Sequence, residues 1–219
     1  MLHHTGLTSV YICLETMDAS IHNSYSYIHN LISILKEDFD VTFIHLDINE
    51  KRFQMADEKG YKVLTVPFIC SQSEPEIFHH YRNITLLIKD IIPSEQNNIF
   101  HLNNINNCFF AFWIRSLLKS KMFLTVHDNY SSTLHNNSTK LKPANPKQNG
   151  YLKGAILKSI ERTKTFTDIC QQVIATSQYT YDYLNLIASN NKSKIIFMPE
   201  AFRHSNIYRE KMLTLYHSL

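Results

Sequence analysis

The sequence predicts an α/β fold, a parallel sheet with helices on both faces, built as one domain with a C-terminal tail. Short apolar runs alternate along the chain with longer segments of helical period, the pattern that a helix-covered parallel sheet produces. The 219 residues, 44% of them hydrophobic, suffice to enclose one substantial core. Two of the apolar runs stop abruptly at histidine and polar residues, as strands do where they leave a sheet for a functional loop.

"TSVYICLE" (8–15) is the first expected strand. After a polar loop, Ile28, Leu31, Ile32 and Leu35 recur at helical spacing, and Asn23 or Ser24 can cap that helix. "FDVTFIHLD" (39–47) is the second strand. The "NEKRFQMADEKG" that follows is expected as a short helix, with Gly60 supplying its left-handed stop. "YKVLTVPFI" (61–69) is the third strand. Ser73 and Glu76 then have the spacing of a capping box, and Ile77, Tyr81, Ile84, Ile88 and Ile91 mark one helix face until Pro93 ends the run. "NIFHLNN" (98–104) and "KMFLTVHD" (121–128) are the next two strands, separated by "CFFAFWIRSLLKS", which is apolar enough to be a heavily buried helix. "QQVIATS" (171–177) and "KSKIIFMPE" (192–200) bring the expected strands to seven. The polar stretch 131–150 is read as a loop that interrupts the domain without dividing it.

Composition removes several function classes. A formal charge of +3 and a pI of about 8.6 are too mild for a nucleic-acid surface, which concentrates Lys and Arg. Cys13, Cys70, Cys108 and Cys170 form no CxxC pair, and three of them lie beside apolar runs, which suits a reducing cytoplasm. No export signal and no membrane span is read from the sequence. Neither GxGxxG, nor a Walker A loop, nor GxSxG occurs, so the usual dinucleotide, P-loop and hydrolase signatures are missing. The pairs His3-His4 and His79-His80 are adjacent in sequence and point to different sides of any regular element, so no metal site is expected.

The chemistry is expected at the carboxyl ends of the strands, where open parallel sheets bind their ligands. His127 and Asp128 end one run, His101, Asn103 and Asn104 end its neighbour, and Glu15 and Asp18 follow the first. One shared rim would bring them together. An imidazole there can take or share a proton from a hydroxyl, because its ordinary pKa lies near neutrality. The bland alternative for each histidine is a satisfied hydrogen bond inside the core.

Taken in order, "HLNN", "FLTVHD", the polar loop, a basic helix, "VIATSQYT" and "KIIFMPEAF" resemble the N-terminal, acceptor-side domain of the family-4 glycosyltransferases of GT-B architecture. The likeness spans about residues 8 to 202. It implies a Rossmann-like domain over 1–202, with 203–219 as the start of an interdomain linker and helix. It also implies a retaining transfer of a sugar from a nucleotide-sugar donor to a glycan or lipid-linked acceptor. His127 matches the histidine that contacts the transferred sugar, Ser177 the serine after the sixth strand, and Pro199, Glu200 and Ala201 the turn into the second domain. Asp18, His101, Asn103, Asn104 and Asp128 are expected to orient the acceptor sugar.

The sequence departs from the family in two places. His22 and Asn23 stand where the family has a glycine pair after the first strand, and their side chains would crowd a phosphate there. The E-x7-E donor motif belongs to a C-terminal domain beyond Leu219; Glu50 and Glu58 have that spacing, but in the wrong domain. No cofactor is expected to bind tightly to this chain. Its donor domain would act in cis or in trans, and the chain alone should be inactive or nearly so. Between Lys140 and Lys164 seven basic residues accompany the single acid Glu161, a face suited to an anionic membrane surface, so the expected location is cytoplasmic and peripheral to the inner membrane face. A second reading is a non-catalytic sugar- or protein-binding subunit with the same fold. A flavodoxin-like regulatory domain ranks below both, because the third strand ends in "PFICSQ" without an acidic cluster.

Overall fold

The computed structural model describes residues 8–16, 22–68, 73–92, 97–103, 108–127, 161, 163–188, 194–199 and 202–219. The first strand, β1 (Ser9–Thr16), leads to helix α1 (His22–Leu35) and then to β2 (Asp40–Asp47). A hairpin of β3 (Gln54–Glu58) and β4 (Tyr61–Pro67) precedes α2 (Glu74–Ile91) and β5 (Ile99–Asn103). Helix α3 (Cys108–Trp113) runs on into a π-helical turn (Ile114–Leu118) before β6 (Lys121–Val126). The chain closes with β7 (Gln172–Ala175), α4 (Gln178–Ile187), β8 (Ile195–Phe197) and α5 (Asn206–His217).

These strands form one eight-stranded sheet in the order β3-β4-β2-β1-β5-β6-β7-β8. All neighbours run parallel except the β3–β4 pair. Alternate residues of the central strands feed two cores. Tyr11, Cys13, Phe100, Leu102, Met122 and Leu124 pack toward α2, α3 and α4, while Val10, Ile12, Ile99 and Phe123 pack toward α1 and α5. Helices on both faces explain why the strands read as continuous apolar runs rather than alternating ones.

The helix expected before Gly60 is corrected. Residues 54–58, expected within a helix, form β3, an edge strand with every residue exposed. The segment has no apolar stripe for a helix to bury, so its backbone gains more from pairing antiparallel with β4, and its charged residues blunt the open edge. Gly60 does adopt a left-handed backbone, at φ 88°, but it turns a hairpin instead of ending a helix. Residues 203–219, expected as the start of an interdomain linker and helix, pack on this sheet, where α5 buries Tyr208, Met212 and Tyr216 in the same core as α1. An Arg209–Glu37 ion pair at 2.7 Å and a hydrogen bond at 2.8 Å from Asn30 Nδ2 to the Arg203 carbonyl fasten it there.

The helix-start signals hold in part: α1 begins at His22, ahead of the expected caps Asn23 and Ser24. Helix α2 starts after Ser73, whose side chain makes no cap hydrogen bond, carries Pro75 in its first turn and ends at Ile91, ahead of Pro93. The π-helical turn after α3 ends at Lys119, whose φ of 53° places it in the left-handed region. Among the described residues no helix is long and apolar enough to cross a membrane. The 131–150 loop and most of the basic face, including Lys140, Lys142, Lys147, Lys153, Lys158 and Arg162, lie outside the described residues.

Candidate functional site

The register aligns the tips of three strands. Leu14 of β1 stands beside Asn103 of β5, and Asn103 beside Thr125 of β6, so the carboxyl ends of these adjacent strands share one edge of the sheet. Two polar groups occupy that edge, one on each face.

On the α1 and α5 face, His127 follows β6 directly and is 7% exposed. Its ring meets Tyr27 of α1 edge to face, with centroids 4.7 Å apart and planes at 81°. The Tyr27 hydroxyl also lies 3.1 Å from Thr125 Oγ1. Thr125 Oγ1 is in turn 2.6 Å from His101 Nε2, and His101 Nδ1 is hydrogen-bonded to the Tyr216 hydroxyl of α5. The result is a buried chain of polar groups from α5 through β5 and β6 to α1 and His127. Burial raises the Tyr216 phenol well above its ordinary value, so it keeps its proton. Tyr216 can then donate to Nδ1 while Nε2–H donates to Thr125.

This placement corrects the expectation for His101, which is fully buried with both ring nitrogens engaged and does not reach the open rim. Burial, reinforced by nearby His127, lowers its pKa to about 3. His101 is therefore a neutral core group that holds Thr125 and Tyr216 in place.

On the α2 and α3 face, Glu15 is next to last in β1, and the Tyr81 hydroxyl of α2 donates to its Oε2 at 2.5 Å. Desolvation pushes the carboxyl up to about 7, partly countered by that hydrogen bond. Asn103, which alternation along β5 groups with Ile99 and His101 rather than with Glu15, is 4% exposed and donates from Nδ2 to the carbonyls of Cys13 at 3.2 Å and His101 at 3.4 Å. Glu15 and Asn103 line one small pocket with Cys13, Leu14, Leu46, Leu102, Phe110 and Phe166.

The other expected site residues divide as follows. Ser177 is the N-cap of α4, its Oγ accepting from the Thr180 N–H at 3.2 Å. His22 and Asn23 lie in the first turn of α1 and not in a loop before it, and their side chains are outside the description. Asp18, Asn104, Asp128 and Glu200 lie outside the described residues. Sequence reasoning missed Tyr27, Thr125 and Tyr216. A tyrosine on an otherwise apolar helix face was the available signal, because a buried phenol needs a partner for its hydroxyl.

No protein family matches the sequence, and no curated protein matches it significantly. Solved structures do share its shape. A sucrose-phosphate synthase chain from Thermosynechococcus elongatus aligns with TM-score 0.59 and 13% identity over 96% of this chain and 98% of its own. A longer chain of the same protein aligns with TM-score 0.58 and 11% identity over 88% of this chain, which spans 48% of its length. An alpha,alpha-trehalose-phosphate synthase (UDP-forming) from Burkholderia vietnamiensis aligns with TM-score 0.53 and 9% identity over 99% of this chain and 56% of its own. At these identities the likeness concerns fold, and the chain has the Rossmann-like α/β fold found in these GT-B glycosyltransferases.

Proposed function

We propose that this chain is the acceptor-binding, N-terminal part of a retaining sugar transferase akin to the family-4 enzymes. In this reading a nucleotide-sugar donor binds mainly in a second domain, supplied in cis or in trans, and the sugar passes to a glycan or lipid-linked acceptor. The observation that carries it is His127, held at the tip of β6 by the ring of Tyr27, beside the aligned tips of β1 and β5. The likeness in fold to solved sugar-phosphate synthases agrees with it.

In that arrangement the buried polar chain does no chemistry itself. It fixes Tyr27, and Tyr27 fixes the imidazole plane, so His127 meets the sugar without first having to be ordered. Asp18, Asn104, Asp128, Ser177 and Glu200 are the residues proposed to complete the sugar contacts, with His22 and Asn23 bordering them. The basic stretch 140–164 would lie against anionic lipid when the acceptor is lipid-linked.

The test is a titration of the 219-residue chain with UDP-glucose and with neutral mono- and disaccharides, followed through the His127 imidazole signals in NMR. The expected result is a saturable His127 response to a saccharide and weak uptake of UDP-glucose. Tight, saturable UDP-glucose binding would show that the donor pocket lies in this chain and would overturn the division of labour.

A further inference from the structure

We infer that the cavity where β8 meets α5 binds a small anionic amphiphile, an apolar body of about ten carbons carrying one carboxylate or phosphate head. The cavity has a volume of about 280 Å³, close to the lower end of ordinary ligand pockets. Phe197, Met198, Pro199, Phe202, Ile207 and Tyr208 supply its apolar walls. β8 is the outer strand of the sheet, with β7 between it and β6, so the cavity lies apart from the aligned tips of β1, β5 and β6. Its walls are set by the chain's own hydrogen bonds. The Met198 N–H donates to the Ala175 carbonyl at 2.9 Å, the Phe202 N–H to the Pro199 carbonyl at 3.1 Å and the Ser205 N–H to the Phe202 carbonyl at 2.8 Å. Phe202 and Ile207 are nevertheless 62% and 66% exposed, two of the four most exposed large apolar side chains among the described residues. Apolar side chains left in water around a cavity of this size mark a place where a ligand can cover them.

The walls fix the body of the ligand. An apolar cavity of about 150 Å³ admits benzene, so this one admits about ten carbons. A saccharide fits poorly, because its hydroxyls would leave water for walls with few partners to offer. Ser205, which also lines the cavity, already accepts from the Tyr208 N–H at 3.2 Å as the cap of α5. Charge fixes the head. Lys211 lines the same cavity, one helical turn beyond Ile207, and is exposed. It has no ion-pair partner among the described residues, whereas Arg209 beside it in α5 is held by Glu37 at 2.7 Å. The cavity also adjoins the first turn of the twelve-residue α5, the end of a helix that carries partial positive charge. A carboxylate or phosphate is attracted by both, and an ammonium by neither. The inference uses this cavity alone and does not rest on the acceptor reading above.

The experiment follows the Met198 methyl signal of the full chain, labelled with ¹³C-methyl methionine and identified through Met198→Leu, as decanoate is added below its micelle concentration. A saturable shift is expected, with octanoate at least about fivefold weaker, because each methylene buried is worth about fourfold in affinity. Lys211→Glu changes an exposed side chain, so the fold should persist, as far-UV circular dichroism would show. That variant should bind decanoate at least about fivefold more weakly and decyltrimethylammonium more tightly than the wild type does. A Met198 signal indifferent to decanoate overturns the inference. So does equal binding of both amphiphiles to the wild type and to Lys211→Glu, which would remove the anionic head from the ligand. A Met198 response to methyl α-D-glucopyranoside with none to decanoate also overturns it, and leaves the acceptor reading standing.

Discussion

His101 and His127 sit on neighbouring strands, face the same helices and belong to one polar chain, yet their surroundings assign them different work. His101 is sealed from solvent between Tyr216 and Thr125, and His127 lies where β6 leaves the sheet. Replacing His127 by Ala should leave far-UV circular dichroism unchanged and reduce sugar transfer by at least about 100-fold in the chain joined to a donor-binding domain, the scale of losing one preorganised polar contact at a reaction centre. Wild-type-like turnover there would refute the role. Tyr216→Phe is a different case, since it removes no sugar contact but leaves His101 Nδ1 buried with its partner gone. We expect it to lower unfolding stability by about 1–3 kcal/mol in urea, with the fold retained. Sequence position alone could not separate these two histidines, because both follow apolar residues in runs that end on polar ones. What separates them is the reach of Tyr216, 115 residues further along the chain.

At the scale of elements, α4 and the β3–β4 hairpin carry the clearest local logic. Ser177 caps α4 through the Thr180 N–H, so Ser177→Ala should cost about 1 kcal/mol in a urea midpoint, whereas Ser177→Asp should restore most of it. If Ser177 also touches the sugar, as its place in the proposed site requires, the Asp variant should keep its stability yet lose transfer. Gly60 turns the hairpin at φ 88°, and a Cβ there would meet nothing closer than Lys36 Cδ at 3.7 Å. The penalty of Gly60→Ala is therefore conformational rather than steric, about 1 kcal/mol, read as a lower thermal midpoint. The sequence marked Gly60 as a left-handed position. It did not show whether the turn ended a helix or joined two strands, because 49–60 lacks periodicity of either kind and the pairing partner, β4, decided the outcome.

For the whole molecule, two buried titratable groups, His101 and Glu15, work against each other as pH changes. His101 falls from its ordinary 6.5 to about 3, so between those values the unfolded chain binds the proton more readily and acidification destabilises the fold. Glu15 rises from 4.5 to about 7, so its stabilising contribution is full below pH 4.5 and is lost as pH climbs through 7. Each group changes stability by about 1.4 kcal/mol per pH unit within its window. Between pH 4.5 and 6.5 the two slopes cancel, and below 4.5 only His101 acts. Glu15→Gln should accordingly lose stability on acidification across that middle window, where the wild type stays nearly level. Urea midpoints measured at half-unit pH steps would show it, and parallel curves for the two proteins would contradict the opposition.

The sequence by itself determined the layered α/β class, the apolar strands, the bounds of α2 and the polar ends of β1, β5 and β6, because each depends on residues near one another along the chain. Tertiary structure decided which polar residues became core and which remained at the edge. Tyr27, Tyr81 and Tyr216 lie in helices distant in sequence from the strands they serve, and only the packing of those helices on opposite faces of the sheet brought their hydroxyls to Thr125, Glu15 and His101. A buried polar group takes whichever partner the fold delivers, so its role is settled by three-dimensional proximity and not by the residues beside it in the chain.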